Sequence, residues 1–185
     1  HNQSRRQRQM CIRDRRIGKK TIFNLLGPHT NPCNAKRQIL GVYDKGLLKT
    51  FGNVSNLLKM HHVLVVHGND GLDEISITDK TFVIELKEGN LNQFEIQPED
   101  FGLSRANITA LKAETPEESL ELINAAFEGK ESPVQDMISL NAGASLYLSS
   151  ASNSIKDGVS LAKELLNNGK AKQTFSSYIE MTNSL

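Results

Sequence analysis

Residues 38–67 read QILGVYDKGLLKTFGNVSNLLKMHHVLVVH, and this stretch decides the fold. Its first six and its last six residues are short apolar runs, and between them Leu47, Phe51, Val54 and Leu58 recur at helical spacing. The unbroken apolarity of residues 62–67 is typical of a strand covered on both faces, as in a parallel sheet. Strand, helix and strand within about 30 residues predict a βαβ unit.

The remaining elements are predicted outward from this unit. After a polar, Gly-rich loop, alternation from residue 81 to residue 97 predicts an antiparallel hairpin whose first strand is half exposed. Thr115, Pro116 and Glu118 have the pattern of a helix start, and Gly129 that of its stop. The buried stripe of this helix is expected at Leu120, Ile123 and Phe127.

Three more helices follow in the prediction. Residues 134–149 are apolar or small nearly all round, which indicates a helix enclosed by neighbours. Ser154 opens the next helix, with one apolar face, and Phe175, Tyr178 and Ile179 indicate the last one. The predicted fold class is therefore α/β, a central sheet with a βαβ unit and a hairpin, flanked by helices.

The N-terminal segment differs in character from the rest of the chain. Eight of the 22 Lys and Arg residues lie in residues 1–20 beside one acid, whereas 14 bases and 20 acids follow from residue 21 onward. Residues 1–16 have almost no apolar content, so we expect a disordered basic arm and a domain over residues 17–185. Two interpretations of the arm stay open: an arm that binds nucleic acid or a membrane surface, which is not the favoured one, or translated adapter sequence that is not native.

Composition excludes some classes of protein. Hydrophobic residues make up 38% and charged residues 23%, which is ordinary for a globular protein. No apolar run approaches the roughly 20 residues of a membrane helix, and neither a secretory signal nor a CxxC motif is visible. A cytoplasmic protein without a membrane partner is expected.

The adjacent acids Asp73 and Glu74 are the strongest candidates for chemistry. They follow a buried strand, and open α/β sheets bind ligands beyond the carboxyl ends of their strands. Mg²⁺ takes one or two protein carboxylates and completes its shell with water and phosphate oxygens. From spacing alone, a solvated acidic turn is the favoured interpretation. The histidines at positions 61, 62 and 67 are expected to be structural, because the pleat of a strand separates neighbours.

Five motifs, taken together and in order, resemble the anthranilate phosphoribosyltransferases. They are TIFNLLGPxTNP at 21–32, QxxGVY at 38–43, VVHGxDGLDExS at 65–76, PEDFGL at 98–103 and TPEES at 115–119. The resemblance covers residues 17–182. It implies the C-terminal portion of a nucleoside-phosphorylase-like phosphoribosyltransferase domain, with the N-terminal half missing.

The resemblance also implies a reaction and its residues. That family joins anthranilate to phosphoribosyl pyrophosphate (PRPP), releasing pyrophosphate, in tryptophan biosynthesis. By this resemblance, Asp73 and Glu74 bind the Mg²⁺ that accompanies pyrophosphate, and Arg15 and Pro28 contact substrate. The family arginine for the anthranilate carboxylate aligns with Asp14, so Arg15 is out of register, and His29 replaces a usual Leu.

Further consequences concern the parts that find no counterpart here. The family's small helical domain, through which its members form homodimers, and its Gly-rich phosphate-binding loop are not recognisable in the sequence. We therefore expect the chain to be inactive alone. Two rival functions stay open: a pyrimidine nucleoside phosphorylase relative, and a non-enzymatic nucleic-acid-binding relative that uses the basic arm.

Overall fold

A computed structural model of the chain describes residues 27–30 and 32–184. The chain divides into two compact units, residues 1–35 and residues 36–185. In the first unit, a short 3₁₀ helix spans Gly27–Thr30, and the Thr30 hydroxyl donates to the Gly27 carbonyl at 3.4 Å. The predicted boundary between arm and domain, at residue 16, lies outside the described residues and stays a prediction.

The second unit is built on a four-stranded mixed sheet in the order β1-β2-β3-β4. The strands β1 and β2 are parallel and are joined by helix α1, as the predicted βαβ unit requires. Strand β3 is antiparallel to β2, and β3 and β4 form the predicted hairpin. The bounds are Arg37–Gly41 for β1, Leu47–Leu57 for α1, His62–Gly68 for β2, Thr81–Lys87 for β3 and Asn90–Ile96 for β4.

Two short 3₁₀ helices and four α-helices complete this unit. The 3₁₀ helices are Pro98–Phe101 and Ile108–Leu111, and the α-helices are Pro116–Phe127 (α2), Pro133–Leu148 (α3), Ile155–Asn167 (α4) and Lys170–Asn183 (α5). The side chains of Thr115, Ser132 and Ser154 each accept a hydrogen bond from a backbone amide of the first turn. In the described part of the chain, every helix is too short or too polar to span a lipid bilayer.

Both faces of β2 are covered, as its continuous apolarity predicts. Leu64 and Val66 belong to a core that β2 shares with helices α3 and α4, and both are fully buried. Val63 and Val65 point to the opposite face and are also fully buried, on the side where α1 contacts β2 and β3. The loop that connects β2 to β3 begins at the carboxyl end of this buried strand.

Helices α3 and α4 pack so closely that their backbones touch. A Cβ atom on Gly143 would overlap the backbone nitrogen of Val159, and one on Gly158 would overlap the Gly143 carbonyl. Along α3, only Ser145 is exposed, which confirms the prediction of an enclosed helix. Because α3 also contacts the sheet, it is a rigid support between the sheet and the outer helices.

Two predicted exposures are wrong. Residues 81–84 of β3 are all buried, because β3 lies between β2 and β4 and is covered on both faces; only its end is half exposed. Leu120 was expected in the buried stripe of α2 but is 50% exposed; the buried residue of this helix is Ala126. The last predicted helix is present as α5; Tyr178 and Ile179 in it are exposed, and Phe175 packs against Phe127 at a ring distance of 5.3 Å.

Candidate functional site

The loop from β2 to β3, residues 69–80, is called the acidic loop here because it holds four carboxylates. It leaves β2 at Gly68, the edge where the parallel strands β1 and β2 also end. Gly71 adopts a positive φ of 91°, a conformation that favours glycine, and its amide donates to the Gly68 carbonyl at 2.9 Å. The loop therefore folds back over the carboxyl edge of the sheet.

Two of the four carboxylates hold the loop together. Asp70 accepts hydrogen bonds from the hydroxyls of Ser76 and Thr78 and, at 3.1 Å, from the amide of Leu72. Burial raises the pKa of Asp70, but these hydrogen bonds outweigh it, so the pKa lies below the usual value. Asp79 accepts from Asn69 at 2.7 Å and forms an ion pair with Arg105 at 3.1 Å.

The other two carboxylates, Asp73 and Glu74, are exposed to solvent. Among the described residues, neither side chain takes part in a hydrogen bond or an ion pair, although Asp70 and Asp79 nearby do. Both residues line two concavities. One, of about 480 Å³, is mainly apolar and is bounded by α2 and α3, and the other, of about 540 Å³, lies between α3 and the end of β1. The pair thus stands at the rim of two open cavities.

Two contacts place the backbone of this pair. The carbonyl of Asp73 lies against Gly41, the last residue of β1, where a Cβ atom would overlap it. On the other side, the Asn141 carboxamide of α3 accepts a hydrogen bond from the Ile75 amide at 3.0 Å and donates to the Ile75 carbonyl at 2.9 Å. Ile75 itself is 1% exposed. The backbone on either side of this pair is therefore held by β1 and by α3.

The donor set suits part of a Mg²⁺ site. A hard cation prefers carboxylate oxygens, and Mg²⁺ in phosphate-binding enzymes uses one or two of them with water and phosphate oxygens. Two exposed carboxylates that have no hydrogen-bond or ion-pair partner among the described residues fit that requirement. No cluster of three or more metal-binding side chains occurs within residues 27–30 and 32–184. The remaining ligands would therefore come from water, from a phosphate or from other parts of the protein.

The structure does not test the other two predicted site residues. Arg15 lies outside the described residues. Pro28 falls in the 3₁₀ helix Gly27–Thr30, and its side chain is likewise outside what the structure describes. Both roles stay predictions.

The histidines have local partners. The Nε2 atom of His62 contacts Glu85 Oε1 at 2.7 Å, and His67 Nδ1 donates to the Val42 carbonyl at 2.7 Å. His61 is exposed and lines a third cavity, of about 300 Å³, that also involves Arg37 and Lys87. His62 and His67 each tie β2 to a neighbouring segment through these contacts, which is a structural role.

Comparison with known proteins decides the family. Residues 3–172 match the family described as "Glycosyl transferase family, a/b domain". The chain belongs to this family. Among curated relatives, the anthranilate phosphoribosyltransferases of Methanobrevibacter smithii and Alkalilimnicola ehrlichii are 44% and 45% identical over 165 and 168 residues. These alignments cover 89% and 91% of this chain but 49% and 50% of the relatives, so the chain spans about half their length.

Solved structures give the same result for this glycosyl transferase domain. Anthranilate phosphoribosyltransferase of Thermus thermophilus superposes with a TM-score of 0.82 at 36% identity, over 89% of this chain and 49% of that one. The Saccharomyces cerevisiae enzyme in complex with PRPP and Mg gives a TM-score of 0.82 at 28% identity, over 93% and 50%. The resemblance predicted from the five motifs and the α/β fold class are thereby confirmed.

Two positioning features of the site escaped sequence analysis. Asn141 is a polar residue between the apolar residues Leu140 and Ala142, and this contrast was a usable signal for a buried hydrogen bond. Gly41 lies within the run of residues 38–43 that was predicted as a strand, and its role depends on a contact with a residue 32 positions later in the chain. No local pattern in the sequence indicates such a contact.

Proposed function

We propose that the protein containing this chain transfers the phosphoribosyl group of PRPP to anthranilate and that Asp73 and Glu74 bind the Mg²⁺ that accompanies the diphosphate. The observation that carries this proposal is the contrast within the acidic loop. Two of its carboxylates hold the loop, while Asp73 and Glu74 stay exposed at the rim of two cavities. The relatives named above, and the S. cerevisiae complex with PRPP and Mg, support the same substrates.

The reaction requires two things from the protein: stabilisation of the charge on the leaving group and positioning of the substrates. The bond from ribose C1 to the diphosphate oxygen breaks, its electron pair leaves with pyrophosphate, and the anthranilate nitrogen bonds to C1 and then loses a proton. Bound Mg²⁺ would stabilise the negative charge that develops on the leaving group. An aromatic amine attacks while neutral, so positioning contributes more than a strong base. Asp73 and Glu74 supply two negative ligands at a fixed backbone.

The chain by itself is expected to lack this activity. Two carboxylates are only part of a metal–diphosphate site, and the chain spans about half the length of its curated relatives. Product formed by the isolated 185-residue chain from PRPP and anthranilate would contradict this expectation.

A substrate comparison tests the proposed function. The product of the open reading frame that contains this chain should consume anthranilate in the presence of PRPP and Mg²⁺. This consumption is measured as the loss of anthranilate fluorescence. The same preparation should leave thymidine and uridine intact in the presence of inorganic phosphate. Phosphorolysis of either nucleoside, without turnover of anthranilate, would replace the proposal with the nucleoside phosphorylase alternative.

A further inference from the structure

Asn141 connects helix α3 to the residue that directly follows Glu74. Its Oδ1 accepts from the Ile75 amide at 3.0 Å, and its Nδ2 donates to the Ile75 carbonyl at 2.9 Å and to the Met137 carbonyl at 3.1 Å. We propose that Asn141 is a positioning residue that fixes the backbone at Ile75 and, through it, the geometry of the two carboxylates. This inference rests on the proposed function, because it concerns the same metal site.

The geometry of the contact is what gives it this role. The Ile75 amide belongs to the peptide group that links it to Glu74, and the Ile75 carbonyl belongs to the next peptide group. One carboxamide therefore holds both peptide groups that flank Ile75, in the way that a neighbouring strand would. Rotation of the first of these groups would redirect the Glu74 side chain, and the hydrogen bond from the Ile75 amide opposes it.

The carboxamide is itself well anchored. Both hydrogens of its Nδ2 are used, one on Ile75 and one on the Met137 carbonyl of its own helix. Helix α3 is buried against the sheet and against α4, so its backbone cannot easily follow a moving loop. Asn141 also lines the 540 Å³ cavity with Asp73 and Glu74. A rigid element thus holds the loop beside the open metal-binding face.

One other contact holds part of the same backbone: the Ser76 amide, in the peptide group that carries the Ile75 carbonyl, donates to Thr81 Oγ1 at 2.9 Å. The peptide group between Glu74 and Ile75 is held by Asn141. Asp70 binds the hydroxyls of Ser76 and Thr78, and Gly41 contacts the Asp73 carbonyl without a hydrogen bond. In the described part of the chain, the polar backbone atoms of the buried residue Ile75 have Asn141 as their side-chain partner. Removing the carboxamide should therefore loosen the loop at the position next to Glu74 while the Asp70 network persists.

A variant of the same helix provides a matched control. Gln135 is 2% exposed and donates through Nε2 to Asn167 Oδ1 at 3.1 Å, a side-chain hydrogen bond that ties α3 to α4 and does not involve the acidic loop. N141A and Q135A each remove one carboxamide from α3. If loss of helix packing alone weakened Mn²⁺ binding, both variants would bind Mn²⁺ more weakly. If Asn141 positions the loop, only N141A would do so.

The test compares the full 185-residue chain with these variants in three measurements. They are the thermal midpoint, Mn²⁺ binding followed by electron paramagnetic resonance, and hydrogen–deuterium exchange of the backbone over residues 72–78. N141A should weaken Mn²⁺ binding by about tenfold, as substitutions that disturb ligand orientation do. It should also speed exchange at Ile75 by about tenfold. Q135A should leave Mn²⁺ affinity within about twofold of the parent, because the two sites are independent.

Each outcome decides the inference. Equal Mn²⁺ affinity and equal exchange at Ile75 in the parent and in folded N141A would overturn it. If N141A does not fold, N141S replaces it, since a hydroxyl can keep one of the two hydrogen bonds, and an intermediate loss of affinity is then expected. A parent chain that binds no Mn²⁺ would count against the proposed metal site, and exchange at Ile75 would still show whether Asn141 holds the loop.

Discussion

The backbone carbonyl of Asp73 lies against the Cα of Gly41, so the end of strand β1 serves as the surface on which the acidic loop rests. No side chain larger than a hydrogen atom fits between them without moving one or the other. The position of one candidate metal ligand therefore depends directly on a residue of the sheet. The acidic loop therefore packs directly against the βαβ unit.

Substitution of Gly41 by Ala should disturb both the fold and the site. The added methyl group would overlap the Asp73 carbonyl, and overpacking of this kind costs about 1–3 kcal/mol of stability. Urea unfolding should show this loss, and Mn²⁺ binding should weaken with it. The control is G46A, at an exposed glycine with φ −61° and ψ −22° that alanine adopts readily; its stability should change by less than about 1 kcal/mol. Equal effects at the two positions would contradict the contact.

The Asp70 network should make stability depend on pH in the acid range. Its folded pKa lies below the usual value of 3.8, so its stabilising effect is present above that pH and is lost as the pH falls through the folded pKa. D70N should destabilise the chain by about 1 kcal/mol at pH 7, a modest figure because the network is accessible to solvent. Urea midpoints should show this gap closing as the pH falls below about 4. A gap that stays constant down to the folded pKa would contradict the role of the charge.

A second polar network lies at the opposite end of the sheet. The Tyr147 hydroxyl of α3 donates to Glu85 Oε1 at 2.8 Å and accepts from Lys87 Nζ at 3.2 Å. Burial, together with the hydrogen bond to Glu85, raises the pKa of Tyr147 above its usual 10, and the hydrogen bond to Tyr147 raises the pKa of Lys87. Both groups stabilise the fold below their unfolded pKa values and lose this effect as the pH rises through the folded ones.

Replacing Tyr147 by Phe should therefore flatten the alkaline loss of stability. At pH 8 the variant should be less stable by about 1 kcal/mol, because Glu85 and Lys87 lose a hydrogen-bond partner. Above about pH 10 its urea midpoint should fall less steeply than that of the parent. Y178F, at an exposed tyrosine of α5, is the control and should keep the parent's slope. Parallel curves for Y147F and the parent would contradict the account.

The sequence predicted the order and type of the elements because local signals and tertiary packing agree over most of the chain. The runs at residues 38–43 and 62–67 became the parallel strands β1 and β2, and Thr115 caps α2 as expected. Exposure was predicted less well. Alternation in β3 suggested a solvent face at Val83, Glu85 and Lys87, but Val83 is buried in the core beneath α3, and a single strand carries no information about which helix packs on it.

The candidate site was predictable only in part, for a similar reason. Adjacency singled out Asp73 and Glu74 after a buried strand, yet spacing could not show that Asp70 and Asp79 in the same loop are held by other residues while this pair is not. That separation depends on hydrogen bonds with Ser76, Thr78 and Arg105, which the folded loop brings together. Asn141 reaches Ile75 across 66 residues of sequence. Contacts of that range follow from how α3 packs on the sheet, which the sequence of the loop does not contain.

The proposed role of Asp73 and Glu74 is to bind the divalent cation. Its most direct test is the Mg²⁺ dependence of anthranilate turnover by the product of the open reading frame that contains this chain, measured for the parent, for D73N/E74Q and for E117Q/E121Q. Glu117 and Glu121 are exposed on α2, so the second double variant changes the net charge equally. We expect D73N/E74Q to raise the Mg²⁺ concentration for half-maximal rate by about tenfold or more, and E117Q/E121Q to leave it unchanged. An unchanged Mg²⁺ requirement in D73N/E74Q would contradict the claim.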